Sequence, residues 1–229
     1  MTTTGYFSPA LFKFLRELSR HNNREWFAEN KTRFQEQVQA PLMRFVSDFR
    51  PHLRELSRHF LADPRPVGGS IFRIYRDTRF SPDKKPFKTW AAAQFRHERG
   101  RDVHAPGFYL HLEPGEVFAA AGIWRPEADA LARIRDAIVA RPPQWKRALS
   151  GKAFKALCTL GGETLRRPPR GYDPEHPLLE DLKRKDFICW TDFREADACA
   201  PDFLERFAAA CRAGAPLAAF LTQALGLDW

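Results

Sequence analysis

The sequence is poor in cysteine and has no long hydrophobic run. Its four cysteines, at positions 158, 189, 199 and 211, lie in the C-terminal half without a CxxC pair. A structural zinc site needs closely spaced ligands and a secreted disulfide scaffold uses more cysteine, so both classes are disfavoured. No apolar segment approaches the roughly 20 residues of a membrane-spanning helix, and the first residues lack the basic start and apolar core of a signal peptide. We therefore predict a cytoplasmic protein with buried free thiols and no membrane contact.

Acidic residues are also in deficit. The chain has 28 Asp and Glu against 37 Lys and Arg, a net charge of +9, and residues 65–101 alone hold ten basic and three acidic side chains. A basic excess concentrated in one segment is typical of a protein with an anionic partner. Nucleic acid is one such partner, but the sequence has no helix-turn-helix, zinc finger or RNP pattern. A small anionic ligand is therefore the first expectation, and nucleic-acid binding through residues 65–101 is an alternative.

Hydrophobic periodicity predicts one α+β domain that spans residues 1–229. Leu11, Phe14 and Leu18 follow helical spacing, and Asn22 with Glu25 three residues later forms a capping pattern for the next helix. After residue 69 the apolar residues no longer follow helical spacing but alternate with polar ones, which is typical of strands. The expected parts of the domain are a helical layer at 8–60, a sheet at 70–124 and a mostly helical part at 126–225.

The sheet is expected to be antiparallel, with helices packed on one side. Pro114-Gly115 is a good turn pair between two alternating segments, so those two segments should form a hairpin. The segments predicted as strands are 71–76, 108–112, 117–123 and 187–193, and those predicted as closing helices are 202–212 and 216–225.

The segment from Arg73 to Lys88 is the first candidate for a functional site. Pro82 and Pro86 predict a turn within this segment, so the basic side chains before and after the turn are expected to converge on one anion. Arginine offers a bidentate fork to a phosphate or carboxylate, and lysine offers a point charge. Asp77 is expected to orient an arginine or to act as a base, and the alternative is an internal network of Arg76, Asp77 and Arg79 that only holds the loop. The predicted ligand-binding cations are Arg73, Arg76, Arg79, Lys84 and Lys88.

The predicted hairpin supplies a second candidate site. With a two-residue turn at Pro114-Gly115, Tyr109 and His111 lie on one face opposite small residues, which leaves a recess for a ligand. An imidazole exchanges protons near neutral pH, so His111 is a candidate acid or base. The alternative is that Tyr109 and His111 are half-buried groups with internal partners. His111 and Glu113, with His104 nearby, offer metal ligands, but their spacing fixes no third one, so we assign no metal and no cofactor.

Several stretches of the sequence resemble one protein family. They are Asn22-Asn-Arg-Glu-Trp-Phe, Phe72-Arg-Ile-Tyr-Arg-Asp-Thr-Arg-Phe with the later Lys84 and Pro86-Phe-Lys, Gly107-Phe-Tyr-Leu-His-Leu, and Gly122-Ile-Trp-Arg-Pro. The family is the bacterial and fungal one catalogued as domain of unknown function 2461, the conserved hypothetical proteins, and the likeness runs in order from about residue 7 to residue 225. The resemblance implies one α+β domain and carries no activity or cofactor with it. Phe87 stands where the family often has Tyr, which removes a hydroxyl from any site there.

The predicted function is that of a ligand-binding or regulatory domain with a basic pocket for a small anionic group, phosphate or carboxylate. One alternative is an enzyme that acts on an anionic small molecule, with Asp77 or His111 as its acid or base. The other is a nucleic-acid-binding protein that uses residues 65–101. The sequence leaves the oligomeric state open.

Overall fold

Helices form most of the secondary structure in the residues that the computed structural model describes, which are 5–79, 81–100 and 106–229. No helix among them is both long and apolar enough to cross a membrane. Phe80 and Arg101 of the basic segment and His104, a candidate metal ligand, lie outside the described residues. The helical segments are α1 (Pro9–Arg20), α2 (Arg24–Glu29), α3 (Lys31–Phe34), a π-helical turn (Gln35–Gln39), α4 (Ala40–Leu56), α5 (Ala128–Ala140), α6 (Pro142–Ser150), α7 (Lys152–Leu157), α8 (Leu179–Leu182), α9 (Glu195–Ala198) and α10 (Phe203–Ala224).

Within the described residues the strands form one five-stranded sheet in the order β1-β2-β3-β5-β4, and every neighbouring pair is antiparallel. The α+β class, the antiparallel sheet and the helices at both ends of the chain are therefore confirmed. The predicted hairpin is confirmed as well, because β2 and β3 pair across Pro114-Gly115. The strands are β1 (Ala91–Arg96), β2 (Gly107–Glu113), β3 (Glu116–Ile123), β4 (Thr159–Gly161) and β5 (Phe187–Phe193).

Helix α10 covers one face of the sheet, and a glycine lets it approach. A Cβ atom on Gly214 would lie 2.6 Å from the Cβ of Ala121 on β3 and 3.2 Å from the Sγ of Cys189 on β5. The opposite face carries Tyr109 and His111, since side chains alternate along a strand. That second face is only partly covered, and the candidate residues of the hairpin lie on it.

The N-terminal helices pack onto this core through phenylalanine rings. The centre of the Phe49 ring of α4 lies 4.7 Å from the centre of the Phe95 ring on β1 and 4.8 Å from that of the Phe207 ring on α10. The predicted cap of α2 was wrong by one residue. Asn23 is the N-cap, and its Oδ1 accepts a hydrogen bond of 2.8 Å from the backbone N–H of Trp26. Asn22 hydrogen-bonds instead to the backbone of Phe87.

The strand predicted at 71–76 does not form. The segment is extended, but its strand-type pairing is limited to two isolated bridges, Ile71 with Ala93 and Tyr75 with Phe87. The backbone N–H of Arg76 donates to the carbonyl of Pro86, but a proline has no N–H to return, so a continuous ladder cannot build there. The strand that does form on this side, β1, was not predicted, because its sequence AAAQFR has little β preference.

The C-terminal region differs from the prediction in two ways. It supplies two strands to the sheet, of which β5 was predicted and β4 was not. The two predicted closing helices are one, because α10 continues through Pro216. A proline inside a helix costs about 3 kcal/mol, but Ala213, Leu217 and Leu221 are all at most 3% exposed on either side of it. Burial of this apolar stripe offsets the lost hydrogen bond.

Candidate functional site

An open cleft of about 490 Å³ lies where the 71–88 segment meets the N-terminal helices. It has a mixed lining of three cationic side chains, two carboxylates, an amide, a hydroxyl and two aromatic rings. The lining residues are Asn22, Arg76, Asp77, Asp83, Lys85, Phe87, Lys88, Thr89 and Trp90.

Arg76 lines this cleft with much of its hydrogen-bonding capacity unused. Its Nη1 donates to Asp83 Oδ2 at 2.7 Å, and its side chain is 30% exposed. The bond from Arg76, followed by one from the backbone N–H of Lys85, lowers the pKa of the Asp83 carboxyl below its usual value. Asp83 is the one carboxylate that pairs with the Arg76 guanidinium in the described part of the chain. A guanidinium has five N–H donors, so Arg76 retains the capacity to bind a second acceptor.

Asp77 is committed to Arg79 and not to Arg76. The guanidinium of Arg79 donates from Nε to Asp77 Oδ1 at 3.0 Å and from Nη2 to Asp77 Oδ2 at 2.7 Å. These bonds lower the pKa of the Asp77 carboxyl to about 2. A carboxylate with so low a pKa holds a proton poorly, which makes Asp77 a weak base at neutral pH. The expected network of three residues is thus two separate ion pairs, Arg76 with Asp83 and Arg79 with Asp77.

The two predicted lysines have different surroundings. Lys88 lines the cleft, donates to the carbonyl of Arg73 at 2.8 Å, and places its ammonium 4.8 Å from the centre of the Trp90 ring. Burial, and then the charge of Arg73, lowers the pKa of the Lys88 ammonium. Lys84 donates to the carbonyl of Thr78 at 2.9 Å and is not among the residues that line the cleft. Arg76 and Lys88 are therefore brought together, whereas Lys84 and Arg79 are held at the loop.

Asn22 closes one end of the cleft. Its Oδ1 accepts from the backbone N–H of Phe87 and its Nδ2 donates to the Phe87 carbonyl, each at 3.0 Å. The Phe87 ring is 2% exposed and stacks on Phe27 of α2 with the ring centres 4.1 Å apart. This pairing holds the loop that carries Lys88 against the N-terminal helices. From the sequence Asn22 was predicted to be a helix cap, because no local pattern indicates a partner 65 residues away.

The hairpin residues form a hydrogen-bonded chain on the second face of the sheet. Tyr109 Oη lies 2.9 Å from His111 Nδ1, and His111 Nε2 lies 3.2 Å from Glu113 Oε2. Thr89 Oγ1 donates to Glu113 Oε1 at 2.8 Å, so the chain ends at a residue of the cleft wall. Burial, and then the charge of Glu113, raises the pKa of the Tyr109 phenol. The cleft and the hairpin candidates therefore meet at Thr89.

Aromatic rings enclose the His111 imidazole. It stacks on Phe118 with ring centres 4.8 Å apart and an angle of 14°, and the Trp90 ring lies 5.4 Å away. Tyr109 lies opposite Ala120, as expected, but the Phe72 and Phe118 rings pack within 6.0 and 5.7 Å of its own ring. Both nitrogens of His111 have partners, and the ring is well enclosed. Asp83, Lys85, Thr89 and Trp90 are lining residues that the predicted site did not include.

Comparison with known proteins places the chain in a family. No curated protein and no solved structure matches the chain. Residues 10–220 match the family described as Conserved hypothetical protein (DUF2461), in agreement with the resemblance carried by the Arg-Asp-Thr-Arg-Phe stretch. Because the match covers nearly the whole chain, the protein belongs to the DUF2461 family of conserved hypothetical proteins.

Proposed function

We propose that the protein is a ligand-binding domain whose cleft beside Arg76 takes a small molecule with a phosphate or carboxylate group. The observation that carries the proposal is the position of Arg76, which lines an open cleft and has a single carboxylate partner among the described residues. Lys85 and Lys88 add two positive charges to the same lining. Arginine is the side chain best suited to a forked hydrogen bond with a planar or tetrahedral oxyanion.

The surroundings of Arg76 favour binding at low entropic cost. The loop opposite it is fixed by the two hydrogen bonds between Asn22 and Phe87 and by Pro82 and Pro86. A rigid loop loses little conformational freedom when a ligand binds. Trp90 provides an apolar wall next to the charged groups, so a ligand with a flat apolar part beside its anionic group suits the cleft.

Titration of the purified protein with inorganic phosphate and with acetate tests the proposal. Arg76→Ala should weaken binding of the preferred anion about 10- to 100-fold, since a hydrogen bond to a charged group contributes about 1.5–3 kcal/mol. Asp83→Asn should strengthen binding several-fold, because it removes a competing negative charge. Arg65→Ala is the matched control, since Arg65 also pairs with an aspartate, Asp63, but is not among the cleft residues.

A site of purely structural ion pairs gives a different result. In that case the wild-type protein binds neither anion, and Arg76→Ala and Asp83→Asn only lower the melting temperature. Binding that Arg76→Ala and Arg65→Ala weaken equally would also contradict the proposal, because it would reflect general surface charge.

An enzymatic function is a second candidate, favoured by the chain of hydrogen bonds from Thr89 to His111. Asp77 is a poor base because its carboxyl has a pKa of about 2, so the proton-transferring role falls to His111. Incubation with a panel of phosphate and carboxylate esters, followed by NMR, would detect turnover. Product formation that His111→Gln abolishes would support an enzyme, and the same turnover in that variant would exclude His111 from it.

Nucleic-acid binding has less support, because the arginines of the basic segment are partly neutralised. Arg65 pairs with Asp63, Arg76 with Asp83 and Arg79 with Asp77. A gel shift that persists at physiological salt and is weakened by charge reversal at Lys84, Lys85 or Arg99 would favour nucleic acid over a small ligand. We also propose a cytoplasmic location, which the four free cysteines support.

A further inference from the structure

The turn between β2 and β3 brings together three side chains that are good metal ligands. Glu113 and Glu116 face each other across Pro114-Gly115, and His111 lies two residues before Glu113 on the same face. One ligand atom from each residue lies within 4.8 Å of the other two, and His111 Nε2 lies 3.2 Å from Glu113 Oε2. The spacing in the sequence does not reveal Glu116 as a neighbour of this pair, since its position depends on the register of the hairpin.

The two carboxylates lack a cationic partner of the usual kind. Neither Glu113 nor Glu116 forms an ion pair with a lysine or arginine of the described residues, although the chain has 37 of these. Like charges directly opposite each other destabilise an antiparallel pair. A bound divalent cation would remove this repulsion.

Two further contacts resemble the outer shell of a metal site. His111 Nδ1 lies 2.9 Å from Tyr109 Oη, and Glu113 Oε1 accepts a hydrogen bond of 2.8 Å from Thr89 Oγ1. In metal sites the second nitrogen of a ligating histidine and the second oxygen of a ligating carboxylate have such partners, which fix the tautomer and the orientation. Tyr109 and Thr89 thus hold His111 Nε2 and Glu113 Oε2 next to each other, 3.2 Å apart.

We propose that His111, Glu113 and Glu116 bind one divalent transition-metal ion, with Zn²⁺ as the best match to one imidazole and two carboxylates. Bonds of about 2 Å require ligand atoms no more than about 4 Å apart, so the exposed Glu116 side chain closes the remaining gap by rotation. The ion takes the lone pair of His111 Nε2, and the imidazole proton then resides on Nδ1 and is donated to Tyr109 Oη. Three protein ligands leave at least one position for water, as in sites open to a substrate.

Competition of the chelator-treated protein with a chromophoric chelator for Zn²⁺, in phosphate-free buffer, tests this site. We expect one Zn²⁺ per chain, and Glu116→Gln should weaken its binding at least about tenfold, a loss seen even when outer partners of a ligand are removed. Glu116 is exposed, so this variant should fold normally. Two controls should bind as the wild type does: Glu175→Gln, which removes an exposed acid elsewhere, and His59→Gln, which removes another histidine paired with a carboxylate, Glu98.

Nitrogen NMR of the histidines provides a readout that does not depend on affinity alone. Zn²⁺ should fix His111 as the Nδ1–H tautomer, with the shift of Nε2 changed by the metal. No uptake of Zn²⁺, uptake that Glu116→Gln leaves unchanged, or an unchanged His111 spectrum would each overturn the assignment. The test is independent of the anion proposal, because Arg76→Ala should leave Zn²⁺ binding unaltered.

Discussion

Asn22 and the backbone of Phe87 exchange two hydrogen bonds of 3.0 Å, one in each direction, although 65 residues separate them. The side-chain amide acts here as a short piece of a neighbouring strand, with one donor and one acceptor. It connects the turn between α1 and α2 to the loop that carries the cleft cations. The geometry of the proposed anion site therefore depends on a residue that carries no charge.

Asn22→Ala should lower the free energy of unfolding by about 1–3 kcal/mol, because it leaves partly buried backbone groups of Phe87 without partners. It should also weaken anion binding, since the loop loses its support. Urea unfolding and phosphate titration measure the two effects. Asn23→Ala is the matched control: it removes the cap of α2 at a cost of about 1 kcal/mol but touches no part of the cleft. Equal loss of anion affinity in both variants would contradict this role of Asn22.

Gly214→Ala should lower the free energy of unfolding by about 1–3 kcal/mol, because the added methyl group lies 2.6 Å from the Cβ of Ala121 and forces α10 away from β3. Gly151→Ala is the control, since the nearest atom to its added Cβ is 4.0 Å away. Thermal unfolding of both variants checks the prediction. If the two melting temperatures agree, α10 does not pack as closely on the sheet as described.

The pair of Asp77 and Arg79 predicts a pH dependence of stability. The pKa of the Asp77 carboxyl is about 2 in the folded protein against 3.8 for the free side chain. A depressed folded pKa means that the pair stabilises the fold fully above about pH 4 and that this contribution is lost as the pH falls towards 2. Asp77→Asn should remove that part of the pH dependence between pH 4 and pH 2. The free energy of unfolding of both proteins, measured at several pH values, checks this prediction. If the two values change in parallel between pH 4 and pH 2, the pair contributes nothing to stability.

Local features of the fold could be predicted from the sequence. The β2–β3 hairpin followed from alternation and a turn pair. The position of Arg76 and Lys88 in a basic turn predicted that they lie near each other, and both line the same cleft, whereas their binding of an anion stays a prediction. The strand at 71–76 failed because Pro86 stops its ladder, and β1 was missed because alanine-rich segments do not indicate strands. Periodicity also cannot reveal pairings between distant residues.

The same limit applies to the site. The pairing of carboxylates with arginines depends on side-chain positions in a loop. Asp77 is close in sequence to both Arg76 and Arg79, so its position along the chain is compatible with either partner. The structure pairs it with Arg79 and gives Asp83 to Arg76. Asn22 belongs to the site through its hydrogen bond to Phe87, 65 residues away, and the sequence around Asn22 does not indicate such a contact.

The most direct test of the anion site is a crystal structure of the wild-type protein with inorganic phosphate at physiological ionic strength, beside Arg76→Ala crystals grown in the same way. The proposed function predicts a phosphate within hydrogen-bond distance of the Arg76 guanidinium and of the Lys85 or Lys88 ammonium, and no phosphate there in the variant. A wild-type structure in which Arg76 binds only Asp83 and no anion lies in the cleft would contradict it, as would a phosphate that keeps its place without Arg76.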